Sequence, residues 1–300
     1  MNLETTVKEA AVSTVCRLCD SPQTYLVYRL KFADLWRCRD CDVAFLNPVP
    51  TAEQLAAFYN NPDYHGKDHP NYWDNCLEGY SMDGPATVEF AGLLDRVPLV
   101  PGGRLLDIGC ATGVFLDIAK KRGWDVRGVE LSAWAGGYAR EKFGLNVFTG
   151  DLADAAFPDA SFDVVTAWDV FEHLADPVAF LKEVRRVLKP GGTLFIETIH
   201  YASLTNLAGH LVYLLSFGKV DWPLYRLYGI HHIYYFSGRS MRRVLEKCGF
   251  RVTDVRMTEF KIDRIDTMSP LTRLVMRVLY VFQKITGLTT VITVLAKRGS

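Results

Sequence analysis

Three hundred residues, 49% of them apolar and with a mean hydropathy of +0.05, are enough to bury a core and exclude a disordered chain. Thirty-four basic residues balance 34 acidic ones, so no global field gathers nucleic acid or an acidic membrane. Met1 to Ala11 sets acids among polar residues without the apolar core of a secretory leader, and the expectation is a cytoplasmic chain.

The first ordered feature is a pair of knuckles, Cys16-Arg-Leu-Cys19 and Cys38-Arg-Asp-Cys41, with eighteen residues between them. Each knuckle aims two sulfurs at one point, and a hairpin built from Tyr25-Leu-Val-Tyr28 and Leu35-Trp36 brings the pairs together. Four protein ligands leave no open coordination position, so the pattern predicts structural zinc rather than iron or two disulfides; disulfides also conflict with a reducing compartment. Arg17, Arg29, Lys31, Arg37 and Arg39 are opposed by Asp20, Asp34, Asp40 and Asp42, which leaves little footprint for a phosphate backbone. Cys76, Cys110 and Cys248 sit in separate apolar contexts and read as buried thiols.

Thr51 and Gln54 make a capping box for a short helix to Tyr59. The segment from Tyr64 through Tyr72-Trp73 is aromatic without helical or strand period, and a helix over about Thr87 to Asp95 follows. Then comes Leu105-Leu106-Asp107-Ile108-Gly109-Cys110-Ala111-Thr112-Gly113-Val114-Phe115-Leu116. An apolar run ending in an acid, a small-residue turn and an apolar-periodic stretch predict a buried parallel strand handing over to a helix. Gly109 and Gly113 permit positive φ and close approach of a ligand, and the first N–H groups of the helix face it. Ala111 is compatible with the turn if its φ stays negative.

Asp125-Val-Arg-Gly-Val-Glu130 reads as a second strand ending in an acid, where a ribose diol would be bound. Leu131 and Ser132 open the next helix, Leu145 to Phe148 forms a third strand, and Gly150-Asp151-Leu152 follows it. Ser161-Phe162-Asp163-Val-Val leads a fourth strand to Trp168, whose end delivers Asp169-Val170-Phe171-Glu172-His173-Leu174. Asp176-Pro177 starts a helix to Leu188, and Lys189-Pro-Gly191-Gly192 turns it into a fifth strand, Thr193 to Thr198. Ser203 to Phe217 is apolar with helical period, and Trp222 to Tyr235 interleaves tyrosines with His231 and His232. Ser237 caps a helix to Cys248, Arg251 to Thr258 is a sixth strand, and Leu288 to Ala296 is a seventh, too short to span a bilayer. Between these, Leu271, Leu274, Val275, Val278, Phe282 and Ile285 form a helical stripe opposite Arg273, Arg277 and Lys284. Such a stripe suits packing on its own domain or an interfacial membrane helix.

The order of these motifs, from Leu-Leu-Asp107-Ile-Gly109 through Glu130, Gly150-Asp151, Phe162-Asp163 and Glu172-His173 to Lys189-Pro-Gly191-Gly192, resembles the class I S-adenosylmethionine-dependent methyltransferases, in the group with quinone and sugar methyltransferases. The resemblance covers about residues 102–297 and departs at Ala111, where many members carry a third glycine. It implies an α/β fold: a seven-stranded Rossmann-like methyltransferase sheet with a small amino-terminal zinc ribbon and a helical cap insertion. It also implies S-adenosylmethionine as cofactor, held by Asp107, Gly109, Cys110, Gly113, Glu130, Leu131, Asp151, Leu152 and Trp168. In that setting Asp107 orients the cationic amino acid end, Asp151 receives the adenine amino group and Leu152 packs on the ring. A lid built on Tyr64 and Tyr72 would exclude water.

The catalytic candidates are His173 and Glu172. His173 suits removal of a proton as the methyl arrives, with Glu172 orienting it; a structural imidazole and a divalent cation held with Asp169 are the alternatives. The zinc ligands would be Cys16, Cys19, Cys38 and Cys41. The resulting organisation is a ribbon at 1–50, a helical and aromatic linker at 51–100 and a methyltransferase domain at 101–300, its cap at about 200–235. The expected reaction is methyl transfer to a hydroxyl or carbon of a small sugar, quinone or natural-product acceptor. An RNA-modifying enzyme docking through the ribbon and a noncatalytic S-adenosylmethionine-binding scaffold stay open, as does peripheral membrane contact.

Overall fold

The computed structural model describes residues 13–31, 33–51, 53–55, 90–92, 94–97, 102–229, 232–258 and 270–299, without the side chains of 226 and 270–276. The aromatic segment around Tyr64 and Tyr72, Cys76, His231 and the stripe positions Leu271, Leu274 and Val275 therefore lie outside the described residues or side chains.

Near the amino terminus, β1 (Thr24–Arg29), β2 (Asp34–Cys38) and β3 (Ala44–Asn47) form an antiparallel meander. The central sheet begins with β4 (Arg104–Ile108), whose Leu105, Leu106, Asp107 and Ile108 are all buried between β5 (Asp125–Glu130) and β7 (Phe162–Trp168). The edge strand β6 (Val147–Thr149) lies beyond β5. On the other side β7 pairs in parallel with β8 (Leu188–Ile199), which pairs antiparallel with β11 (Val291–Arg298), and β11 with β10 (Phe250–Thr258). The seven-stranded order is β10-β11-β8-β7-β4-β5-β6. Successive strands diverge from β4 in opposite directions, towards β5 and towards β7, and the crevice at their carboxyl ends is where such sheets bind ligands.

Among the described residues, the helices with defined bounds are α1 (Val114–Lys121), α2 (Ala133–Phe143), α3 (Pro177–Val187), α4 (Leu204–Leu215), α5 (Trp222–Leu227), α6 (Gly238–Lys247) and α7 (Pro270–Thr286). Ser132, Asp176, Ser203 and Ser237 cap α2, α3, α4 and α6 with side-chain oxygens, which replaces orphan backbone bonds at each start. Lys189-Pro-Gly191-Gly192, expected as a turn, lies inside β8. The register slips there, Phe162 facing Leu188 and Val164 facing Thr193, so the extra residues are absorbed as a bulge.

A two-residue strand, β9 (Tyr234–Tyr235), pairs with β3 and completes a four-stranded sheet, β1-β2-β3-β9. The amino-terminal meander thus shares a sheet with the segment that follows α5. Ser237 Oγ donates to Asp42 at 2.9 Å and Lys247 Nζ to the Leu18 carbonyl at 3.1 Å, fastening the same junction.

Candidate active site

The turn after β4 is built on tight approach. Gly109 has φ +69°, and a Cβ there would sit 2.4 Å from Val170 Cγ2. Gly113, at φ +82°, would drive a Cβ to 2.6 Å from Leu145 and 2.8 Å from Ala139. Ala111 departs from the negative φ expected of it: it stands at +47°, the left-handed region that favours glycine, and is exposed at the lip of the turn. Its N–H donates to Glu130 Oε2 at 2.9 Å. The Gly109 and Cys110 N–H groups both donate to the Val129 carbonyl, and the Cys110 thiol is buried, packed against Gly128.

Glu130 closes β5 and receives a second bond, from the Ser132 N–H at 2.8 Å. One carboxylate thereby ties the two turns of the crevice together, with lone pairs left for a diol. Burial raises its pKa and the backbone donors pull it back. Leu131 beside it is half-buried. Asp107 is 2% exposed and accepts from Thr166 Oγ1 at 2.6 Å; burial pushes its carboxyl up to about 8, against the pull of that bond. An arriving ammonium would recover its charge, so the pair of acids fits a ligand that carries both a cation and a diol.

Asp151 is exposed and its Oδ1 accepts the Ala153 N–H at 3.0 Å, while Leu152 is buried in the core. Trp168 packs edge-on or tilted against Phe90, Phe115 and Phe195, with ring centroids 4.7 to 5.1 Å apart. Its buried Nε1 has no hydrogen-bond partner among the described residues.

Phe171–His173 forms a single 3-10 turn directly after β7. Glu172 is wholly buried: Oε2 accepts from Thr198 Oγ1 at 2.8 Å and the backbone carbonyl from Ile233 N–H at 2.8 Å. Its Oε1 has no hydrogen-bond partner among the described residues, and burial pushes the carboxyl up to about 7. The His173 and His232 rings lie 4.8 Å apart, and one ligating atom from each of Glu172, His173 and His232 falls within 4.8 Å of the others. Thr166 and Thr198 were not singled out from the sequence. Each is a buried threonine on the strand beside an acid, which is the only signal the chain offers for them.

In the ribbon, Cys16 and Cys41 sulfurs lie 3.6 Å apart and those of Cys19 and Cys38 3.5 Å apart, all four within 4.8 Å of one another. Tetrahedral zinc thiolates imply sulfur spacings of about 3.8 Å, so the set is compatible with structural zinc.

The methyltransferase-domain family matches residues 86–255. This chain belongs to the class I S-adenosylmethionine-dependent methyltransferases. It is 37% identical over 170 residues to a ubiquinone biosynthesis O-methyltransferase of Cereibacter sphaeroides, covering 52% of this chain and 65% of that one. With the enzyme of the same name from Neisseria meningitidis it shares 32% identity, over 62% of this methyltransferase and 79% of the relative. The chain spans 49 to 65% of the length of three curated relatives with that name, the Cereibacter enzyme among them. Geranyl diphosphate C-methyltransferase from Streptomyces coelicolor shares the fold, with TM-score 0.57 and 16% identity over 84% of this chain and 99% of its own.

Proposed function

We propose that this methyltransferase moves a methyl group from S-adenosylmethionine to a hydroxyl of a small quinone-type acceptor, with His173 as base and Glu172 beside it. The observation that carries the reading is the meeting of Glu172, His173 and His232 within 4.8 Å, on the turn that leaves β7 at the crevice. The relatives named for ubiquinone O-methylation support oxygen, rather than carbon, as the receiving atom.

When bound, S-adenosylmethionine supplies an electrophilic methyl on a sulfonium. Glu130 would hold its ribose, Asp107 its amino acid end and Asp151 with Leu152 its adenine. His173, half-buried, takes the acceptor's hydroxyl proton and returns it to solvent; Glu172, ionising near neutrality, stabilises the resulting imidazolium. Most of the acceleration comes from positioning the two reactants in line. The ribbon's four thiols would hold zinc and brace the β3–β9 junction next to His232, an arrangement suited to a reducing, cytoplasmic setting.

Calorimetry on zinc-loaded protein tests the cofactor: Glu130→Ala should weaken S-adenosylmethionine binding at least tenfold, about 1.4 kcal/mol. Turnover of catechol-type acceptors then tests the base. His173→Ala should lose more than about tenfold in kcat, and retention of full turnover overturns the assignment.

A second reading has its own observation. The unpartnered Glu172 Oε1 beside two imidazoles offers a ligand set for a divalent cation. Dialysis against EDTA under conditions that leave the ribbon zinc in place, followed by restoration of turnover with magnesium or manganese, would favour it over the base.

A further inference from the structure

The described part of the α7 apolar stripe, Val278, Phe282 and Ile285, does not pack inward. Among its described side chains the one turned most completely to the protein is polar: Gln283 is 5% exposed and donates to Thr205 Oγ1 on α4 at 2.6 Å. Phe282 and Ile285 are exposed instead, Ile285 by 74%. The neighbouring α4 repeats the pattern, with Leu211 and Leu215 exposed and Phe217, in the turn behind it, 92% exposed. The two helices are rooted side by side, the Leu204 N–H donating to the Leu288 carbonyl at 2.8 Å, where β8 and β11 begin their pairing at Ile199 and Val291. That is the crevice edge of the sheet.

The charge along these two segments is one-signed. Residues 204–220 and 270–286 contain Lys219, Arg273, Arg277 and Lys284 and no aspartate or glutamate, in a chain of zero net charge. Lys219, Arg277 and Lys284 are exposed. A second copy of the chain would set these like charges against each other, whereas an anionic lipid surface complements both the bases and the apolar side chains between them. Among the described residues no helix is long and apolar enough to cross a membrane, so the helices would lie in the interface.

We propose that α4 and the carboxyl-terminal half of α7 form a docking face for an anionic bilayer surface. The inference goes beyond the methyl-transfer reading and is tested apart from it. Full-length protein is floated on a density gradient with vesicles of phosphatidylcholine plus phosphatidylglycerol and, separately, of phosphatidylcholine alone. Flotation with the anionic vesicles, reduced by high salt, is expected. Leu215→Ser with Phe217→Ser and Ile285→Ser should cut the bound fraction at least tenfold, and Arg277→Gln with Lys284→Gln should abolish the salt-sensitive part. Unchanged S-adenosylmethionine affinity and thermal midpoint show that the variants remain folded. Wild-type protein that stays unbound on anionic vesicles overturns the proposal. So does a dimer in light scattering that the serine substitutions split, with no vesicle binding.

Discussion

Glu172→Gln isolates the cost of keeping a carboxyl inside the fold. In the native protein burial holds its proton to about pH 7, against an ordinary value of 4.5. The unfolded chain therefore binds fewer protons than the native one between those values, and wild-type stability falls as pH rises through that window and then levels off. A separation of about 2.5 units at 1.36 kcal/mol each corresponds to about 3 kcal/mol. Glutamine keeps the side-chain volume and removes the titration. At about pH 8 the variant should be the more stable protein by up to that amount, roughly 5 °C in Tm for a domain of this size. Near pH 4.5 the gap should close. Methyl transfer by the variant should fall in the same samples, because His173 loses its anionic neighbour. Thermal melts of both proteins across the window provide the measurement. A variant that is less stable at the alkaline end, or a gap independent of pH, refutes the reasoning and indicates a native carboxylate already neutralised by a bound cation.

Gly109→Ala should cost about 1 to 3 kcal/mol and weaken cofactor binding, since φ is +69° and the new Cβ meets Val170 at 2.4 Å; adding Val170→Ala should recover only part, as read by urea melts and calorimetry. Ala111→Gly should stabilise, by no more than about 1 kcal/mol, because relief of a left-handed alanine slightly exceeds the entropy glycine adds to the unfolded chain; a clear loss would mean the turn gains from alanine in a way its backbone does not show. Cys38→Ser should lower bound zinc from about one ion per chain and reduce methyl transfer more than S-adenosylmethionine affinity, because β3 supports β9 beside His232 rather than the Glu130 corner. Undiminished transfer by zinc-free protein would detach the ribbon from the acceptor side.

The parallel strands were legible because burial on both faces leaves continuous apolar runs, as in Leu105-Leu106 and Val164-Val165, and the helix starts because Ser132, Asp176, Ser203 and Ser237 are themselves the capping groups. Ribbon spacing was legible because two knuckles need only a hairpin between them. Other features depend on partners distant in sequence. Nothing local marks Tyr234–Tyr235 as the fourth strand of a sheet begun at Thr24; two residues carry no periodicity, and the pairing partner is Ala44–Phe45. Ala111 takes a left-handed φ while its N–H bonds Glu130, nineteen residues away, a partner that local propensity does not see, and so the expected sign was wrong. The direction of α7 was equally hidden, because a stripe states which residues share a face and not which face meets the protein.

The crevice repeats one device on adjacent strands. Asp107 at the end of β4 accepts from Thr166 on β7, and Glu172, one turn beyond β7, accepts from Thr198 on β8. In each case a buried acid keeps a raised pKa, and a hydroxyl from the neighbouring strand fixes one oxygen while the other is left for a ligand or an imidazole. Full satisfaction of either carboxyl by the protein would make the fold more stable and remove the group's capacity to respond to an incoming charge. Both acids stand at the carboxyl ends of adjacent parallel strands, Asp107 in β4 and Glu172 in the turn after β7, the end of an open α/β sheet at which ligands bind. If the proposed roles hold, the stability lost to burying these two acids is the condition for binding a cation at Asp107 and moving a proton beside Glu172.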